Sequence, residues 1–167
     1  MTKNINCFIP FQDEAQVKQT VENLKKQELV NEIFFLKGDM RSTANMRFIA
    51  ELATTPYTLI YTKYTTLSFV LFALERMEAL MEDTQAAMVY SDHFNQTGEE
   101  RVNAPVIDYQ LGALRDDFDF GSVLFYRTSA LKEAVARMDK DYQFAGLYDL
   151  RLKVSQKGAL EHINEYL

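Results

Sequence analysis

Short apolar runs recur along this chain between segments of helical period, and that alternation restricts the fold more than any other feature. NINCFIPF (4–11), EIFFLK (32–37), YTLIY (57–61), AAMVYSD (86–92) and GSVLFY (121–126) are each short and bounded by turn or charged residues. Such runs suit strands buried on both faces. Over residues 14–27, Val17, Val21 and Leu24 recur at helical spacing, with acids in the first turn and Lys25 and Lys26 in the last, as the helix dipole favours. Ser42 or Thr43 can cap a second helix from Ala44 to Thr54, with Met46, Ile49 and Ala53 on one face and Pro56 closing it off.

Further along, the pattern predicts a helix from Leu67 to Glu82. Its first half, LSFVLFAL, is apolar nearly all round and is expected to be buried on several sides. HFNQTGEE reads as a polar turn, RVNAPVIDYQ as a strand or extended segment, and RDDFDF (115–120) as an acid-aromatic loop. Thr128 or Ser129 caps a helix carrying Leu131, Val135 and Met138. A last helix spans Phe144 to Gln156, Gly158 stops it, and LEHINEYL is strand-like. Strands alternating with helices predict a three-layer α/β fold, a mainly parallel central sheet flanked by helices, with a more mixed second half. No repeat or linker divides the chain, so residues 1–167 are expected to form a single domain.

At 167 residues and 47% hydrophobic, the chain is long enough for a well-buried core. Its 24 acids against 18 bases give a net charge of -6, which offers no electrostatic footprint for nucleic acid or an anionic membrane. MTKNINCFIPF lacks the apolar stretch of a signal peptide, and no apolar run approaches a transmembrane length. The single cysteine, Cys7, lies in an apolar run, which predicts a buried, inert thiol in a reducing compartment, and hence a cytoplasmic protein. Neither GxGxxG nor GxxxxGK[ST] is present, so nucleotide binding through those motifs is set aside. His93 and His162 stand outside any metal-ligand spacing and are expected to be structural or surface residues.

In open α/β sheets, ligands sit beyond the carboxyl ends of the strands. Asp13 and Glu14 follow the first strand, Asp92 ends the fourth, and Asp116, Asp117 and Asp119 precede GSVLFY. Carboxylates at such positions can hold a divalent cation, a sugar hydroxyl or a reacting proton. Asp13 and Glu14 equally suit a helix N-terminus. Phe118 and Phe120 interleave with the acids, which fits either a face that stacks on a sugar ring or a loop pinned by buried rings. The turn Thr62-Lys63-Tyr64-Thr65, by contrast, carries no acid, histidine or glycine.

Four phrases in order resemble the family 2 glycosyltransferases, which have the GT-A fold. IPFQDE with TVENLKKQ is similar to the family's opening strand and helix. AAMVYSD resembles the strand before its acceptor-side half, DFDFGSVLFYRTSALKEAV its glycine-serine strand and following helix, and LYDLRLKVSQKGALEHINEYL its closing helix and strand. The resemblance spans nearly the whole chain. It implies transfer of a sugar from a nucleotide-diphosphate donor to a carbohydrate acceptor, with Mn or Mg held by a DxD motif and an aspartate as base.

Carried over residue by residue, the resemblance sets Thr62, Lys63 and Tyr64 on the DxD, and Gly146 and Leu147 on the acidic pair before Tyr148-Asp149. No metal ligand is assigned. LKGDMRST replaces the family's acidic nucleotide-gripping turn, so the nucleotide-binding half is shortened and Asp39 is its remnant. Asp13, Asp39, Lys63 and Asp92 are the expected donor-binding residues, and Asp117 and Asp119 the expected catalytic ones. Two readings follow: a transferase in which Lys63, Arg41 or Arg115 balances the diphosphate, or a domain that has lost catalysis and serves as a binding or scaffolding module, in either case as one part of a longer protein in glycan assembly. A third is a doubly wound α/β module unrelated to glycan chemistry.

Overall fold

Successive side chains of a strand point to opposite faces, so a strand buried on both faces must feed two separate cores. The computed structural model, which describes residues 2–110 and 119–167, has this organisation. In β1 (Ile5–Pro10), Phe8 enters one core while Ile5, Cys7 and Ile9 enter the other. The same division separates Ile60 from Leu59 and Tyr61 in β3 (Tyr57–Tyr61), and Leu124 and Tyr126 from Phe125 in β6 (Val123–Arg127). Helices α1 (Glu14–Lys25) and α3 (Ala73–Thr84) cover one face. Helices α2 (Thr43–Leu52), α4 (Thr128–Ala136) and α5 (Gly146–Ser155) cover the other. Three layers result, and Cys7 lies fully buried, with desolvation driving its thiol pKa far up.

The seven-stranded sheet runs β2 (Val30–Leu36), β1, β3, β6, β4 (Met88–Thr97), β5 (Glu100–Ala104), with β7 (Leu160–Tyr166) pairing β4. β1, β2 and β3 are mutually parallel, and so are β4 and β7; β6 runs antiparallel between β3 and β4, and β5 antiparallel beside β4. Five strands therefore share one direction, as the mainly parallel expectation requires. The chain moves from β1 to β2 on one side and returns to β3 on the other, which makes the carboxyl edge of β1 and β3 the topological switch point.

Three expectations need correction. The helix expected from Leu67 begins only at Ala73, and Leu71 and Phe72 are 79% and 58% exposed. The backbone of the preceding segment is claimed by α1: Thr20 Oγ1 accepts from Leu67 N at 3.0 Å, Asn23 Nδ2 donates to Leu67 O at 2.9 Å, and Gln16 Nε2 donates to Tyr64 O at 2.8 Å. These bonds pin the segment to α1, and Leu67 O, which a helix beginning here would give to Leu71 N, is taken by Asn23. HFNQTGEE is no plain turn, because β4 continues to Thr97 and pairs with β5 in a hairpin that reverses at Gly98. Thr128 does not cap α4, since its hydroxyl is paired with Thr58 at 2.7 Å in the core; the cap position is Arg127, whose side chain makes no cap bond. Ser42 does cap α2, accepting from Asn45 N at 3.1 Å.

The start of α5 rests on the start of α2. Leu147 N donates to Arg41 O at 3.0 Å, Thr43 N to Tyr142 O at 2.9 Å, and Tyr142 N to Thr43 Oγ1 at 3.0 Å. Only a glycine fits between: a Cβ at Gly146 would stand 2.6 Å from the Arg41 carbonyl oxygen and closer still to Thr43 N. Gly146→Ala is expected to destabilise the domain by about 1–3 kcal/mol through this overpacking, read as a lower urea midpoint at unchanged m-value.

Candidate functional site

Loops from β1, β2, β3 and β4 and the approach to β6 meet at the carboxyl edge of the sheet. The tip of β3 is anchored there, with Thr62 N donating to Ser122 O at 2.9 Å and Thr62 Oγ1 to the same oxygen at 3.3 Å. Tyr61 OH donates to Thr65 O at 2.8 Å, so the chain arches and leaves Lys63 and Tyr64 outward. Lys63 has no ion-pair partner among the described residues.

The expected acids divide into separate places. Asp13 caps α1, accepting from Gln16 N at 2.8 Å. Asp39 is gripped by Arg41 through Nε at 2.9 Å and Nη2 at 2.7 Å, a bidentate bond that holds its pKa below the usual carboxylate value. The Arg41 guanidinium in turn lies 5.4 Å from the Phe144 ring centroid. Asp119 Oδ1 accepts from Gly121 N at 2.7 Å. Asp117, with Arg115, Asp116 and Phe118, lies outside the described residues.

Asp92 is 6% exposed and turned inward. Its Oδ1 accepts from Val106 N at 2.9 Å and lies 2.8 Å from His162 Nε2, while His162 Nδ1 lies 2.7 Å from Asp108 Oδ1. Each ring nitrogen thus lies within hydrogen-bond distance of a carboxylate oxygen. Tyr90 stacks on the same ring at 5.0 Å, and its hydroxyl donates to Ile107 O and accepts from Tyr109 N, both at 2.8 Å. Asp92, His162 and Tyr90 together hold residues 106–109 against β4 and β7.

His93 is the functional candidate that sequence reasoning missed. Its Nδ1 is buried without a partner among the described residues. Gly121, at φ +77°, leaves the space this ring needs, for a Cβ there would come within 3.3 Å of both His93 Nδ1 and Ser91 O. Burial lowers the His93 pKa first, the Lys63 charge lowers it further, and Asp119 and Asp92 oppose the shift. The structure therefore gathers Lys63, His93 and Asp119 at the junction of β3, β4 and β6, with Asp92 behind them. Asp13 and Asp39 lie on the β1 and β2 side.

Among the described residues, the donor set does not fit the divalent cation that the family resemblance implies. Asp13, Asp39, Asp92 and Asp119 each accept bonds from the protein itself, and no group of three His, Cys, Asp or Glu side chains among the described residues is placed to hold a metal. Where the acidic pair is expected, Gly146 has no room for a side chain. Chemically, this edge presents a lysine, an aromatic-backed arginine bound to Asp39, a histidine held below its usual pKa, and hydroxyls.

No family model matches the sequence, and no curated protein does. Solved structures do resemble it. S. aureus TarS 1–349 superposes with a TM-score of 0.69 at 11% identity, over 97% of this chain and 58% of that one. CMP:2-keto-3-deoxy-manno-octonic acid synthetase in complex with CTP gives 0.57 at 10% identity, over 98% and 90%. 4-diphosphocytidyl-2C-methyl-D-erythritol synthase from Anaerococcus prevotii gives 0.53 at 10% identity, over 98% and 90%. The chain shares the fold of these three structures, and it spans little more than half of the TarS fragment.

The placement of Asp92 carries a stability consequence. Asp92→Ala leaves Val106 N–H and the His162 ring without their buried acceptor, and is expected to cost about 1–3 kcal/mol, measured by urea denaturation. Asp13→Ala removes one exposed cap and is expected to cost about 1 kcal/mol.

Proposed function

We propose that this domain binds a nucleotide-diphosphate sugar at the carboxyl edge of β1 and β3, in glycan or polysaccharide assembly, with weakened or lost transfer. Lys63 carries the reading. It stands at the tip of the strand whose end the family resemblance assigns to the diphosphate, free of any ion pair among the described residues. A fixed ammonium can offset phosphate charge without a metal. Arg41, already neutralised by Asp39, offers its planar face and the Phe144 ring more than net charge. The synthetase among the similar structures was solved with CTP, which supports a nucleotide as the ligand of this fold.

One observation favours a binding or scaffolding module over an active transferase: every expected acid in the described residues already bonds within the protein. A general base must reach the acceptor hydroxyl, and in Asp119 that leaves Oδ2, since Oδ1 is held by Gly121 N. A further domain of the same polypeptide fits this role, as does a cytoplasmic setting; no helix among the described residues is long and apolar enough to cross a membrane.

Titration calorimetry with UDP- and GDP-sugars, with and without manganese, tests the reading. Binding is expected to be independent of manganese and about tenfold weaker or more in Lys63→Ala, as for the loss of one charge-assisted contact of roughly 1.5–3 kcal/mol. Silence with every donor at millimolar concentration would discard donor binding. Release of free nucleotide in the presence of an acceptor would favour the active transferase over the scaffold.

A further inference from the structure

On the face of the sheet that α3 covers, Tyr61 of β3 pairs in register with Val123 of β6, and both pack into the core that holds Cys7. Ser91 of β4 lies two residues beyond Val89, which faces the same core, so alternation puts Ser91 on that face too. Because α3 begins only at Ala73, this end of the face has no helix over it. A groove of about 630 Å³ opens there, between residues 65–70 and β4, a volume within the range of small-molecule sites.

Both walls are held in place by the protein itself. On one side Leu67 is tied to Thr20 and Asn23 of α1, and Thr65 O accepts from Tyr61 OH. On the other, alternation along β4 sets His93 and Asn95 on the same face as Ser91. Phe94 and Gln96 stand on the opposite face of the β4–β5 ribbon, and so does Arg101, the register partner of Gln96.

The side chains that remain are polar and mostly uncharged. Thr66, Ser68, Ser91 and Asn95 line the groove and make no side-chain hydrogen bond among the described residues. Hydroxyls and carboxamides both donate and accept. His93 adds a donor: its Nδ1 is buried without a partner among the described residues, and a buried lone pair costs less than an orphaned N–H, which leaves the proton on Nε2. Charged lining is sparse and of both signs, namely Lys63, Arg101 and the Leu167 terminus. Phe69, Met77 and Val123 give the groove an apolar floor. Hydroxyls and amides around an apolar floor complement a ring with hydroxyls at its edge and C–H groups on its faces. A peptide strand would need a free strand edge, whereas the groove offers a sheet face.

We infer that this groove binds a short neutral carbohydrate chain, its hydroxyls met by Ser68, Ser91, His93 and Asn95 and its ring faces resting on Phe69 and Val123. The site lies on the α3 face of the sheet, and Lys63 is where it borders the proposed nucleotide edge. Its occupancy does not depend on the donor reading.

Nuclear magnetic resonance titration of the whole chain with maltotriose, cellotriose and diacetylchitobiose, in the absence of nucleotide, tests the inference. At least one of them is expected to shift the amide signals of Ser68, Asn95 and Val123 at millimolar concentration, with an affinity unchanged by added salt because the ligand is neutral. Asn95→Ala is expected to weaken that binding about fivefold, as for the loss of one neutral hydrogen bond, and Ser68→Leu to weaken it further by narrowing the groove. Both positions are exposed, so the fold is expected to survive, read as unchanged signals from the two cores. Nucleotide-sugar affinity is expected to be unchanged in Asn95→Ala, and a failure of donor binding leaves the carbohydrate result standing. Silence with all three sugars, undiminished binding in both variants, or tighter binding of inorganic phosphate at the same signals would overturn the site.

Discussion

The two-sided burial of β1, β3, β6 and the first half of β4 is the constraint from which the remaining structure follows. Because Phe8, Ile60, Leu124 and Tyr126 point one way and Cys7, Leu59, Phe125 and Val89 the other, helices must cover both faces, and the crossings between strands must lie above and below the sheet. That leaves only the strand ends for polar loops. The order β2-β1-β3 then splits the loops at the carboxyl edge, and the antiparallel β6 brings Gly121 and Ser122 to the same edge from the opposite chain direction. The meeting of Lys63, His93 and Asp119 is thus a product of core periodicity and one reversed strand.

Strand positions were largely legible because an apolar run of five or six residues with buried flanks has few other homes; YTLIY became β3 with its ends unchanged. The segment from Leu67 to Phe72 was not, because its apolar content reads equally as buried helix and as a tethered arm. What decides between them is a set of partners on α1, Thr20 and Asn23, more than forty residues earlier in sequence. The β4–β5 hairpin was obscured for a similar reason: HFNQT is polar since that part of β4 leaves the sheet body and pairs only with β5.

The same distinction governs the site. Acids at strand ends were easy to find in the sequence, but their commitments were not, since Asp92 is held by His162 from the last strand and by the backbone of Val106. His93 was overlooked because a lone histidine beyond the expected end of a strand carries no spacing signal. Its setting comes from Gly121 in a left-handed conformation across the sheet, and from the continuation of β4 that alternation of Ser91 and His93 on one face would have indicated.

Replacing a metal by Lys63, on the proposed reading, has unequal effects on binding and on transfer. An ammonium 4 Å from a phosphate oxygen contributes about 4 kcal/mol of Coulomb attraction at an effective dielectric of about 20, and a dication in the same place would contribute about twice that. Ground-state affinity for a donor needs only a few kcal/mol of net attraction and survives the exchange. Transfer depends on the additional attraction gained as charge accumulates on the departing diphosphate, which one charge matches less well than two. A base for the acceptor hydroxyl is also needed, and the packing of Gly146 against the backbone of Arg41 and Thr43 leaves that need unmet at this position, since a carboxylate cannot be placed there without moving α5 away from α2. Both substitutions reduce the same step, and neither disturbs the sheet edge on which a nucleotide would rest.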